Sequence, residues 1–160
     1  MAKLFDSLEQ EHIDFINAQK IFFTGTNSSS KGVNISPKGI EPLKITGPNS
    51  AAYIDFVGSG NRTFEDIMEG SMVGLMFCSF DDKPLILRLY CKGRSIKSGD
   101  PEFEEKISLW DCKPDKKIRQ VFILDIYQVM TSCGWGVPLF EFKGERKESR
   151  KLAGKNSKLN

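Results

Sequence analysis

Two short segments hold the side chains best suited to chemistry. The first is residues 34–39, Asn-Ile-Ser-Pro-Lys-Gly. In an extended chain Asn34 and Ser36 point to the same side. Pro37 fixes its own φ and biases Ser36 towards extended geometry, which ends a short strand. Lys38 then projects from a stiff corner, and Gly39 releases the chain. Such a set suits an anionic or hydrogen-bonding planar ligand, and an ordinary strand-ending turn is the competing reading. The second is residues 58–63, Gly-Ser-Gly-Asn-Arg-Thr, between an expected strand and an expected helix. That junction exposes backbone N–H groups at the positive end of a helix dipole, where Gly60 allows close approach. Arg62 adds a forked charge suited to phosphate. Ser59, Asn61 and Thr63 add side-chain donors. Thr63 stands where a dinucleotide fingerprint needs its third glycine, so that motif is excluded. A cap and turn with a solvent-facing arginine explains the segment equally well. Together the two segments suit a mononucleotide.

Other chemistries fail on the sequence. There is no HExxH, GxSxG or GxxxxGK[ST]. Residues 25–32, GTNSSSKG, have the wrong order for a phosphate loop and lead into a strand. The single histidine, His12, sits in an expected N-terminal helix with no marked nucleophile nearby, so it reads as a packing or surface residue. Cys78, Cys91, Cys112 and Cys133 form no CxxC and no zinc spacing, so the expectation is free, buried thiols and no structural metal. Cys133, beside Gly134 and Trp135, reads as buried and inert rather than redox-active. With no acid–base machinery of its own, the chain points to chemistry supplied by a cofactor.

The elements that position these residues follow from periodicity. Ser7 and Gln10 form a capping-box pattern, and Leu8, His12, Phe15 and Ile16 then share one helical face. Strands are expected over 21–26, 33–36, 43–46, 51–57, 72–80, 85–96 and 118–131, with a short addition at 139–142. The 72–80 run is nearly all apolar and reads as buried on both faces. In 85–96, Leu85, Leu87, Leu89 and Cys91 share one side, and Ile86, Arg88 and Tyr90 the other. Helices are expected over 63–69 and from Asp100-Pro101 to about Trp110. Six or seven strands with hairpin links argue for a mainly β, antiparallel barrel or sandwich with short peripheral helices.

Length and charge set the frame. The chain has 160 residues, 39% hydrophobic and 28% charged, which suits one globular domain. Net charge is +2, so the whole molecule offers no argument for nucleic acid or an anionic membrane. No apolar run matches a secretory signal or a spanning helix, which leads to the expectation of a cytoplasmic protein without a membrane partner. Residues 143–160 hold seven basic side chains against two acids. The domain is therefore set at 1–146, with 147–160 as a basic, frayed tail that offers at most a nonspecific anion-attracting arm.

Five motifs in order carry a resemblance: SPKG at 36–39, GSGNRTFEDI at 58–67, VGLMF at 73–77, LRLYCKGR at 87–94 and SCGWGVPLFEF at 132–142. They resemble the pyridoxamine 5′-phosphate oxidase-like, FMN-binding split-barrel family. The resemblance implies a six-stranded split barrel with flanking helices, forming a homodimer with two FMN sites at the subunit interface. It implies that Asn34, Ser36 and Lys38 line the isoalloxazine edge, and that Ser59, Gly60, Asn61 and Arg62 hold the ribityl phosphate. It implies a flavin-bordering role for Arg88, and for Trp135 either closure of the partner's site or anchoring of the interface. The true oxidases carry an RxVLLK-like strand, a Ser-Arg-Lys phosphate motif and a C-terminal arginine-rich motif, where this chain has VNISPKG, GNR and its low-complexity tail. The expectation is thus an FMN-dependent oxidoreductase acting on an unnamed small molecule. The alternative is a non-catalytic protein that stores or senses flavin, deazaflavin or haem.

Overall fold

Alternation at period two governs most of the chain, and the folded elements follow it. A computed structural model describes residues 2–146, so the basic tail at 147–160 lies outside the described residues. The strands are β1 (Lys3–Phe5), β2 (Ile21–Ser28), β3 (Gly32–Gly39), β4 (Leu43–Gly47), β5 (Ser50–Phe56), β6 (Val73–Cys78), β7 (Leu85–Lys97) and β8 (Ile118–Cys133). The helices are α1 (Gln10–Ala18), α2 (Arg62–Met68) and α3 (Phe103–Ile107), the last continued by a 3-10 turn at Ser108–Trp110.

All strand pairs are antiparallel, in the order β3-β2-β6-β7-β8-β5-β4, with β1 added on β8. The sheet curls so that its two ends face each other. Phe22 on β2 and Tyr53 on β5 meet edge to face, with centroids 5.8 Å apart. Phe22, Tyr53, Phe77, Leu87, Leu89, Phe122 and Leu124 fill the concave side and are buried. Each such side chain contributes about 1.5–3 kcal/mol. The outer face of β5, β7 and β8 is covered by α3, where Ala52, Ile54, Ile96, Phe103, Ile107, Trp110 and Val121 form a second cluster. The result is an open, split barrel, because no ladder joins β3 to β4 or β5.

Several expectations change. The described residues form eight strands rather than six or seven, since the three-residue β1 is too short to show a period. β3 runs through Pro37 instead of stopping there. It is an edge strand, so a missing N–H is tolerated. β6 alternates rather than being buried on both faces, leaving Gly74 and Met76 half-exposed outside. Residues 139–142 form no strand. The third helix starts at Phe103, after a turn over 100–102. The first helix is capped by Glu9 and His12, not Ser7 and Gln10: the Glu9 N–H donates to His12 Nδ1 at 3.1 Å. The Leu8 N–H is meanwhile drawn to the Pro48 carbonyl at 2.8 Å, which fixes where the chain enters the helix. His12 is thus a buried capping residue. Among the described residues, no helix is long and apolar enough to cross a membrane.

Candidate functional site

The open edge of the barrel carries a cleft of about 400 Å³. β3 forms one wall. Pairing of Thr26 with Asn34, Thr24 with Ser36 and Phe22 with Lys38 sets the register. It turns Asn34, Ser36 and Lys38 to the concave side, while Val33, Ile35 and Pro37 face out and are exposed. The opposite wall is the loop between β5 and α2, with Gly58, Ser59, Gly60, Asn61, Arg62 and Thr63. Asp55, Phe56 and Phe122 complete the lining. The two segments singled out by residue type therefore meet in one place. Seven of the expected residues line it: Asn34, Ser36, Lys38, Ser59, Gly60, Asn61 and Arg62.

Lys38 reaches across the gap. Its Nζ lies 3.7 Å from Asp55 Oδ1 and 5.7 Å from the centroid of the Tyr53 ring. Charge pairing and the face of an aromatic quadrupole hold it there. Tyr53 is fully buried, and its hydroxyl has no hydrogen-bond partner among the described residues. Burial, aided by the charge of Asp55, pushes this phenol well above its usual range, so it stays neutral.

Arg62 does not point freely to solvent. Its Nε donates to Asp66 Oδ1 at 2.6 Å and its Nη2 to the Gly32 carbonyl at 2.9 Å. Asp66 is fully buried and also accepts from Thr26 Oγ1 at 2.6 Å. Burial pushes the Asp66 carboxyl up, but the hydrogen bonds from Thr26 and Arg62 and the charge of Arg62 outweigh it. The net effect holds the group below the usual carboxylate range. More contacts tie the β2–β3 hairpin to α2. Lys31 pairs with Glu65, Ser28 and Ser30 donate to Glu69, and Asn34 donates to Thr63 Oγ1 at 3.4 Å.

Three residues that sequence reasoning missed organise the loop. Arg119 Nη1 and Nη2 donate to the carbonyls of Gly60 and Gly58 at 2.6 and 2.7 Å. Gln120, 1% exposed, donates from Nε2 to Asp55 Oδ2 at 2.9 Å and to Asn61 Oδ1 at 2.8 Å, and accepts from Ser95 Oγ at 2.9 Å. Asp55 also lies 3.8 Å from Arg119. A visible signal existed for Asp55, the one charge inside the apolar run of β5. None existed for Gln120, whose neighbours come from the pairing of β8 with β5 and β7. Lys38, Arg62 and Arg119 face Asp55 and Asp66, which leaves one surplus positive charge at the cleft.

Two expected residues lie elsewhere. Arg88 is on the outer face of β7, where its Nη1 donates to Ser132 Oγ at 3.0 Å. Trp135, after β8, is 81% exposed and does not line the cleft. The four cysteines are free. Cys78 and Cys91 are buried, whereas Cys133 is exposed, against expectation, because β8 ends there at the sheet margin.

No family model matches the chain. It is 35% identical over 144 residues to the pyridoxamine 5′-phosphate oxidase family protein ustO of Aspergillus flavus, covering 88% of this chain and 58% of that protein. The chain thus spans little more than half the length of that relative. Among solved structures, a candidate pyridoxamine 5′-phosphate oxidase from Lactobacillus delbrueckii superposes with a TM-score of 0.62 at 18% identity, covering 78% of this chain and 94% of that one. An FMN-binding protein from Syntrophomonas wolfei superposes with a TM-score of 0.55 at 17% identity, covering 74% and 81%. An open antiparallel barrel shared with these structures and a curated relative at 35% identity place the fold of the chain among the pyridoxamine 5′-phosphate oxidase-like split barrels.

Proposed function

We propose that the cleft binds flavin mononucleotide, and that the protein is an FMN-dependent oxidoreductase acting on a small molecule. One observation carries the reading. Residues 34–38 and 59–63 converge on a single cleft, with Lys38 on one wall and Arg62 on the other. The donor set fits the group. Arg62, Ser59 and Asn61, with the backbone at Gly60, would hold the phosphate; Asn34, Ser36 and Lys38 would meet the polar edge of the ring. The space a Cβ would fill at Gly60 is open, so the chain's own packing does not demand a glycine there, whereas a ligand against the backbone does. A volume of about 400 Å³ lies at the small end of ligand sites, so part of the ligand would lie over the open side.

Bound flavin supplies reversible two-electron transfer, which none of these side chains can perform. The chain's part is to orient and to set the field. Lys38 would bring a positive charge to the ring edge, and Asp55 keeps that ammonium in position. Deazaflavin and haem find no separate support. Among the described residues the cleft lining has no histidine, cysteine or methionine, and His12 is used in the cap of α1. A homodimer is part of the proposal. The exposed Val33, Ile35, Trp135 and Phe140 supply apolar surface for a second copy, and light scattering measures its mass.

The deciding experiment is gel filtration after incubation with FMN, followed by a visible spectrum. The expected result is retained oxidised-flavin absorbance, bleached by NADH or NADPH and restored by oxygen. Retained flavin that neither donor bleaches favours the storage or sensing alternative. Loss of all colour on the column refutes the cofactor reading.

A further inference from the structure

Asp66 has no exposed surface and does not line the cleft, yet it is bonded towards both walls. One carboxylate oxygen holds Arg62 Nε and the other holds Thr26 Oγ1, each at 2.6 Å. Thr26 Oγ1 in turn accepts from Asn34 Nδ2 at 3.1 Å. A single buried acid therefore touches the arginine of the loop side directly and the asparagine of β3 through one hydroxyl. Arg62 is gripped a second time by the Gly32 carbonyl at 2.9 Å. With Nε and Nη2 engaged, the guanidinium plane is fixed, and Nη1 keeps both of its protons for a ligand.

We infer that Asp66 is a positioning residue that sets the preference of the cleft for a phosphorylated ligand over the same ligand without its phosphate. It does so by holding the Arg62 guanidinium in place before the ligand arrives. The inference rests on the flavin reading above. Preorganisation is the physical reason. A long, flexible arginine that must be ordered during binding loses part of its interaction energy to that ordering, whereas one already held by a buried carboxylate does not. Asparagine at position 66 keeps the shape. Its oxygen can still accept from Arg62 and its N–H₂ can donate to the Thr26 hydroxyl, but the negative charge that grips the guanidinium is gone.

FMN and riboflavin differ only by the phosphate, so the pair isolates the effect. Both are titrated, by quenching of flavin fluorescence, into the wild-type protein, Asp66→Asn and Arg62→Lys. The wild type is expected to bind FMN more tightly. Asp66→Asn should weaken FMN by about ten- to thirtyfold, the scale of one charge-assisted hydrogen bond, and riboflavin by no more than about twofold. Arg62→Lys keeps the charge but cannot hold Asp66 and Gly32 together, so it should show the same selective loss. Because Arg62 itself would meet the phosphate, its lysine variant serves as the background: Asp66→Asn, or Asp66→Ser if asparagine does not fold, should add no further selective loss to it. In the wild-type background, equal losses for both flavins, or an unchanged ratio, overturn the inference and leave the cofactor reading standing. A wild-type protein that takes up neither flavin overturns both.

Discussion

Gln120→Leu removes a buried amide of nearly leucine shape and leaves its three partners in place. The wild-type amide makes one hydrogen bond to the Asp55 carboxylate, one to Asn61 and one from Ser95, all at 2.8–2.9 Å. A bond to a charged group is worth about 1.5–3 kcal/mol and a neutral one about 1 kcal/mol. Asn61 and Ser95 are half-exposed and can turn to water, so most of their share is recovered. Added apolar burial offsets a little more. The net loss is about 2–3 kcal/mol, most of it from Asp55, whose side chain is 15% exposed and loses its closest donor. For a domain of this size that lowers Tm by about 4–12 °C. The assay is urea unfolding followed by tryptophan fluorescence, with Tm from calorimetry, and a second variant, Asp55→Asn/Gln120→Leu, as the control. With the carboxylate charge gone, the double variant should recover part of the loss. A Gln120→Leu protein as stable as wild type would refute the reasoning, because Asp55 would then not depend on that amide.

Two further expectations concern titration and thiols. The Asp66 carboxyl is held below its ordinary 3.8, so the unfolded chain binds the extra proton first as pH falls. Its stabilisation is complete above about pH 4 and disappears as pH drops through the lower folded value; the Ser79 hydroxyl depresses Asp81 in the same direction. The urea midpoint should therefore fall below pH 4, and a midpoint unchanged between pH 5 and 3 contradicts this. A thiol reagent should modify Cys133 rapidly in the native state and reach Cys78 and Cys91 only on unfolding, since burial pushes Cys91 up to about 12. Persistence of the fast phase in Cys133→Ser argues against the assignment.

What could be read from the sequence was local. Alternation places Asn34 and Ser36 on one side, and the structure puts them on one wall, where Lys38 joins them because β3 continues through Pro37. The run of glycine, asparagine and arginine between a strand and a helix marks the opposite wall by residue type alone. The four-residue spacing of Arg62 and Asp66 was also visible, although nothing in it announced that the acid is buried. What escaped was set by topology. Pro37 looks like a strand end to local rules, and only the edge position of β3 lets the strand continue through it. Arg119 and Gln120 lie about sixty residues from the loop they hold, and only the register of β8 on β5 brings them there. The choice of Glu9 over Ser7 as cap was likewise settled by a distant carbonyl, that of Pro48.

The ion pair between Lys38 and Asp55 crosses a seam that carries no backbone ladder. The barrel is therefore stitched shut there by side chains alone, and the seam is the natural place for it to breathe. A molecule seated between the two lips would act as a brace, slowing amide exchange along β3 and β5 while leaving β7, in the middle of the sheet, untouched.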